Sequence, residues 1–263
     1  MPPSHVGPDA QLELSSDCSR CAGLCCVALP FSRGGGFGFD KLQDEPCRHL
    51  DPPFTCGIHH DLRRRGFPAC ATFECFGAGQ QVVQRTFAGR NWRAEPKIAS
   101  EMLAVFRIAR HLHEMLALLS LTREPEPLAE ELIGVVMGDP ADILTVAVDD
   151  WRARVGERLR AVSRTRRGSG QDLAGADLMG RDLRSHDLAR ADLRGALLAA
   201  ADLRGTQMEL ADLLGADLRD ARVDGTDLSR TLFLTQPQVN AARGDTDTVL
   251  PSALTQPQHW PSG

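Results

Sequence analysis

The most regular feature of the chain is an apolar position at every fifth residue. It runs Leu173, Leu178, Leu183, Leu188, Leu193, Leu198, Leu203, Met208, Leu213, Leu218, Val223, Leu228 and Phe233, thirteen steps without a slip. Two residues before most of these lies Ala or Thr, as at Ala176, Ala191, Ala211 and Thr226. Asp usually stands between them, and Gly often closes the unit. A period of five fits neither a helix at 3.6 nor a strand at 2. A chain that turns a corner every five residues does bring each fifth side chain inward. Four such sides close a square coil of about 20 residues, and stacked coils bury a continuous leucine column. Arg181 and His186 stand where small inward residues belong. A charge inside so narrow a column is costly, so the first coil is expected to be open or packed against the N-terminal part. Asp172, Asp192 and Asp212 recur at the coil period and should stack on one face. That face reads as solvated, with an acidic docking surface as the alternative.

Helical periodicity dominates the middle of the chain. Ile98, Met102, Phe106, Ala109, Leu112, Leu116 and Leu119 share one face of a helix over residues 96–121, with His113 as a structural residue. A second helix is predicted over 127–137. A third opens at Asp139-Pro140 and continues through Trp151, Val155 and Val162. The polar, Gly-containing run 163–170 reads as a linker. Beyond the repeat, a short helix over 238–243, a Gly244-Asp245 turn and an apolar strip with Trp260 are expected to cap the column, with His259 on the surface.

The cysteines supply the candidate chemistry. All eight lie in the N-terminal part: Cys18, Cys21, Cys25, Cys26, Cys47, Cys56, Cys70 and Cys75. Close spacing in the first four lets a short loop aim several thiolates at one ion. All-thiolate ligation suits zinc or an iron–sulfur cluster and disfavours Mg²⁺ or Ca²⁺. A disulfide framework and inert thiols are the alternatives; a reducing compartment argues against the first. His49, His59 and His60 lie among the cysteines and read as neighbours of the site or surface residues. The run RGGGFGFDK from Arg33 lacks the G-K-[ST] ending of a phosphate loop and reads as a flexible loop. No Ser/His/Asp constellation is suggested by spacing.

Charge divides the chain in the same way. The 263 residues carry a formal net charge of −5. From Gly168 onward there are 13 Asp and one Glu against nine Arg, so the whole excess lies in the repeat part. No apolar run reaches the ~20 residues of a membrane span, and the first residues lack the order of a signal peptide. A soluble, cytoplasmic protein is expected.

The unit A-D-L-x-x over 171–235 resembles the pentapeptide-repeat family. The resemblance implies a right-handed quadrilateral β-helix. Well-known members mimic DNA and bind a type II topoisomerase. Here about 3.25 coils at ~4.8 Å each give a rod of only ~15 Å, the length of four or five base pairs, so that role ranks last. The segments CSRCAGLCC, PCRHL, CGIHHDLRRRGFPAC and FECFGAGQ resemble the zinc- or iron-chelating cysteine-cluster family with the CxxCxxCC signature, which includes YkgJ-like proteins and a domain of flagellin lysine methylases. The match spans roughly 15–80, with three residues rather than two between Cys21 and the Cys25-Cys26 pair.

The expected fold class is thus α+β and multidomain. It comprises a disordered N-terminus (1–14), a metal-binding cysteine module (15–95), a helical segment packing on it (96–162), a linker (163–170), the quadrilateral β-helix (171–235) and a C-terminal cap (236–263). The eight cysteines are the expected metal ligands, with no catalytic residues. The expected function is a non-enzymatic metal-binding scaffold whose β-helix faces engage a protein partner, without nucleic acid or membrane. The alternatives are an iron–sulfur redox or methyltransfer-associated protein and, last, a DNA mimic that protects a topoisomerase.

Overall fold

The computed structural model describes residues 12–261 except Pro53, Arg123 and Pro125. Most of the expected disordered N-terminus, residues 1–11, lies outside the described residues. The chain divides into two compact units, Met1–Pro68 with Cys75–Val155 and Ala69–Glu74 with Gly156–Gly263.

The first unit is helical. In chain order the helices are α1 (Leu24–Ala28), α2 (Pro68–Thr72), α3 (Ala78–Gln80), which runs on into a π-helical turn at Gln81–Thr86, and α4 (Ala99–Ser120). They are followed by α5 (Pro127–Val136), α6 (Pro140–Leu144) and α7 (Val148–Arg167), with α2 from Ala69 and α7 from Gly156 belonging to the second unit. A 3₁₀ turn at Pro96–Ile98 leads into α4, and Pro opens both α5 and α6, where its missing N–H costs nothing. α4 carries the apolar stripe read from the sequence: Met102, Phe106, Ala109, Leu112, Leu116 and Leu119 are all buried. Leu24, Val27, Ala78, Val82 and Phe87 complete this core from α1, α3 and the π turn.

The third predicted helix is corrected. It breaks into α6 and α7 at residues 145–147. The Thr145 hydroxyl donates to the Asp142 carbonyl at 2.8 Å, closing the first helix with its own side chain. α7 then continues through Arg167, so helix occupies most of the segment whose composition predicts a linker.

The second unit corrects the expected fold class. No strand, sheet or β-helix forms among the described residues; besides its helices this unit consists of turns joined by isolated bridges. The backbone explains why. Each five-residue step spends two residues on a turn and leaves one in bridging position, which is too short for a ladder. Within the repeat the bridges are parallel and join residues 20 apart, as in Asp172↔Asp192, Asp182↔Asp202 and Asp192↔Asp212. Their hydrogen bonds are regular: Leu173 N–H donates to Asp192 O at 2.9 Å, and Asp192 N–H to Gln171 O at 2.7 Å. Within a step, Ala176 N–H donates to Leu173 O at 3.0 Å.

Each residue of the repeat unit has a local task. The fifth-position leucines Leu188, Leu193, Leu198 and Leu203 and the small residues Ala191, Ala196 and Ala201 form one buried core. The Asp side chain holds its own turn: Asp172 Oδ1 accepts from Ala174 N–H, Asp187 Oδ1 from Ala189 N–H, and Asp227 Oδ1 from Ser229 N–H. The closing residue takes positive φ, 63° at Gly195, which glycine adopts without strain. Arg190, at φ 60°, adopts the same corner at a cost of about 1 kcal/mol. Leu173 and Leu178 are only partly buried, and Arg181 and His186 are exposed, so neither polar side chain is sealed in the column.

The far end is closed by α8 (Gln236–Ala241), which begins two residues before the position predicted. Gln238 Nε2 donates to the Leu213 and Ala216 carbonyls at 2.7 and 3.0 Å, satisfying acceptors at the end of the coil. Trp260 is buried against Gly244, where a Cβ would lie 2.7 Å from the ring, and its Nε1 donates to Ala242 O.

Candidate functional site

None of the eight cysteines forms a disulfide. Seven belong to the first unit; Cys70, on α2, belongs to the second. α1 carries Cys25 and Cys26 with their sulfurs 3.9 Å apart. The Cys47 N–H donates to the Cys26 carbonyl at 2.9 Å, which ties the second cysteine segment to the first. Cys56 is held by a single antiparallel bridge to Leu50. Cys21 is buried beneath α3, where a Cβ at Gly79 would come within 2.7 Å of the Cys21 Cβ. Cys75 lies 2.9 Å from the Ser16 hydroxyl.

Neighbouring sulfurs shift the ionisation of several of these thiols. The hydrogen bond to Cys26, burial, and the charges of Cys26, Cys21 and Cys75 push the Cys25 thiol well above the ordinary range. The same hydrogen bond lowers Cys26. Burial raises Cys47 and Cys56, and the Cys26 sulfur adds to both. These influences run through the whole set: Cys18 acts on Cys21 and Cys26, Cys21 and Cys75 act on Cys25, and Cys26 acts on Cys25, Cys47 and Cys56. Among the described residues, no three His, Cys, Asp or Glu side chains converge as a metal-ligand group. The chemistry of the set still suits a thiophilic ion: unbridged sulfurs from three chain segments lie in one unit and repel one another when charged. His49 is packed edge-on against Phe39 and Phe67, while His59 and His60 are exposed.

Three polar features go beyond the cysteines. Lys41 is buried, and its ammonium donates to three carbonyls. His113, read as structural, is fully buried; Nδ1 lies 2.7 Å from the Phe76 carbonyl, and Nε2 has no hydrogen-bond partner. Burial lowers its pKa from 6.5 to about 4. Between those values the unfolded chain takes up a proton that the folded one refuses, so stability falls as pH drops from 6.5 toward 4. The expected loss is about 3 kcal/mol from this residue. Urea unfolding at pH 7 and pH 4.5 should show a shallower pH slope for His113→Gln than for the wild type; equal slopes would refute the assignment.

The third feature lies in the second unit and corrects the solvated-face reading of the acidic stripe. Asp172 is exposed, but Asp192 is 4% exposed and Asp212 0%. Ser163 Oγ donates to Asp212, and Arg167 pairs with Asp192 at 3.1 Å. Arg167 also donates to the Arg190 carbonyl, and Arg190 returns a bond to the Arg167 carbonyl, both at 2.8 Å. Arg194 joins the two carboxylates, 2.5 Å from Asp192 and 3.6 Å from Asp212. Two carboxylates and two guanidinium groups thus form a charge-matched network, buried except at Arg194, which is partly exposed. Burial raises Asp212; for Asp192 burial acts upward but the hydrogen bonds from Arg194 outweigh it and the pKa falls.

Among the described residues, no helix is long and apolar enough to cross a membrane. The pentapeptide-repeat family description matches residues 191–230 in eight copies. A Bacillus subtilis (strain 168) protein, the uncharacterized protein YybG, is 49% identical over 265 residues, which covers 94% of this chain and 95% of that protein. The chain is a pentapeptide-repeat protein and belongs to the same family as YybG.

Proposed function

We propose that the protein is a non-enzymatic scaffold whose first unit binds a thiophilic metal, as zinc or an iron–sulfur cluster, and whose repeat unit presents rigid faces to a protein partner. The observation that carries the metal reading is the gathering of seven unbridged thiols in one unit, from segments around Cys18–Cys26, Cys47–Cys56 and Cys75. Cys18, Cys21, Cys25, Cys26, Cys47, Cys56 and Cys75 would supply the donors; Cys70 falls in the other unit and is the weakest member of the set. A bound ion would cross-link short Gly- and Pro-containing loops that have little apolar core of their own.

The faces of the repeat favour a protein partner over duplex mimicry. Several of their carboxylates are matched by arginines two residues on: Asp182 by Arg184 at 2.7 Å, Asp202 by Arg204 at 2.7 Å and Asp217 by Arg219 at 2.6 Å. Arg184 also reaches Asp202, 3.6 Å away in the next coil. A duplex surface has two uncompensated charges per base pair, so this pattern is a poor copy of it.

The test is elemental analysis and visible absorption of anaerobically purified protein, followed by strong chelation. Stoichiometric zinc in a colourless protein is expected, with chelation increasing proteolysis within residues 15–80 and leaving the repeat intact. Iron with sulfide and a visible band would move the assignment to the redox alternative. Protein without metal, whose circular dichroism and proteolysis ignore the chelator, would end the metal reading.

A further inference from the structure

We infer that Arg181 and His186 keep the open end of the repeat from pairing with a second copy of the chain. The inference concerns the second unit alone and is independent of the metal reading. Each later coil donates backward. Asp192, Leu197 and Asp202 give their N–H groups to the Gln171, Ala176 and Arg181 carbonyls at 2.7, 2.9 and 2.9 Å, and Asp212, Asp217 and Arg222 repeat the pattern one coil on. The first coil has no coil before it. Among the described residues the N–H groups of Asp172, Asp177 and Asp182 have no backbone partner. Gln171 Nε2 donates to the Asp187 carbonyl at 2.9 Å and covers that side only. α7 lies along the flank rather than over this end, with Ser163 on Asp212 and Arg167 on Asp192.

A row of unpaired backbone groups is a template for another chain, and the same row on a second copy matches its spacing. Two first coils stacked head to head would also bury Leu173 and Leu178, which are only partly buried now. Arg181 and His186 oppose this. Their counterparts one coil on are Ala201 and Thr206, 0% and 4% exposed inside the column. A second coil laid over the end would seal both polar side chains, from both copies, into that same interior. The Arg181 guanidinium would enter it without a counter-ion. Among the described residues it forms no ion pair, and the adjacent Asp182 is held by Arg184 at 2.7 Å. An unpaired buried charge costs far more than two half-buried leucines gain. The far end is closed by α8 and Trp260, so a head-to-head stack would stop at two chains.

The experiment is size-exclusion chromatography with light scattering on the full-length reduced protein over a range of concentrations, with thermal melting alongside. The variants are Arg181→Ala, Arg181→Lys and the double variant Arg181→Ala/His186→Ala. Alanine is the residue that the repeat itself most often places here, so the double variant should melt no lower than the wild type. Its mass should double relative to the wild type as concentration rises, and stop there. Arg181→Lys keeps the charge and should match the wild type. Arg181→Ala alone should double at higher concentration, and it carries the test if the double variant melts lower. Adding Ala176→Arg to the double variant puts a charge back at another inward position of the same coil and should restore the wild-type mass. An unchanged mass in the alanine variants at every concentration would overturn the inference, because the two side chains would then merely occupy an end that pairs with nothing. A doubling in Arg181→Lys, growth beyond a doubling, or a doubling that Ala176→Arg leaves intact would overturn it too, since association would then not be governed by charge at this end.

Discussion

Replacing Arg167 by Met is expected to destabilise the repeat unit by about 3–5 kcal/mol, the cost of removing one partner from a buried ion pair. The size follows from what stays behind. Asp192 and Asp212 are 4% and 0% exposed and lie one coil apart on a single stripe. Arg194 would then face two carboxylates alone, and the Arg190 carbonyl would lose its donor. Asp192→Asn in the same chain removes the stranded charge, so the double variant should recover part of the loss. Guanidinium unfolding of the single and double variants measures both effects. A single-variant loss below about 1 kcal/mol would mean that water reaches the network and that the helix end is only loosely seated.

The second large effect is expected within the leucine column. Leu198→Ala should cost about 3–5 kcal/mol, since Leu198 is fully buried and its neighbours belong to a stack that can relax little around a cavity. Leu178→Ala should cost clearly less, because Leu178 is only partly buried against the same core. The contrast is more informative than either value. Comparable losses at both sites would show that the first coil is closed as tightly as the second, contrary to the exposure of Arg181 and His186.

The repeat was legible because its logic is local. The five-residue period, the inward Leu and small residue, and the closing Gly each reflect a conformation within one step. The class of structure was less legible. A resemblance implied a β-helix, but the turns at every step leave single bridging residues and no strand. The reason for the recurrent Asp was also missed: its carboxylate accepts the N–H two residues on and so holds the corner, which periodicity alone does not reveal. At the thiols, residue type and spacing pointed to the gathering of the N-terminal segments. They gave no sign that Cys70 belongs to the other unit, because that division depends on contacts made across the folded chain.

Composition misled where distant charges met. Residues 163–167 are polar and basic, and such a run reads as a linker when its partners are not visible. In the fold Ser163 lies against a residue 49 positions away and Arg167 against one 25 away, and these bonds extend the helix. Lys41 is a similar case: a lysine is ordinarily solvated, but here it is buried, whereas His113, read as structural, is buried as that reading implies. Chain neighbours alone specified the turn period, the apolar helix face and the crowding of sulfurs into one segment, because those need only local geometry. Which charges are shut away from water, and what neutralises them there, was decided in three dimensions, because desolvation depends on everything packed around a group and not on the residues beside it in the chain.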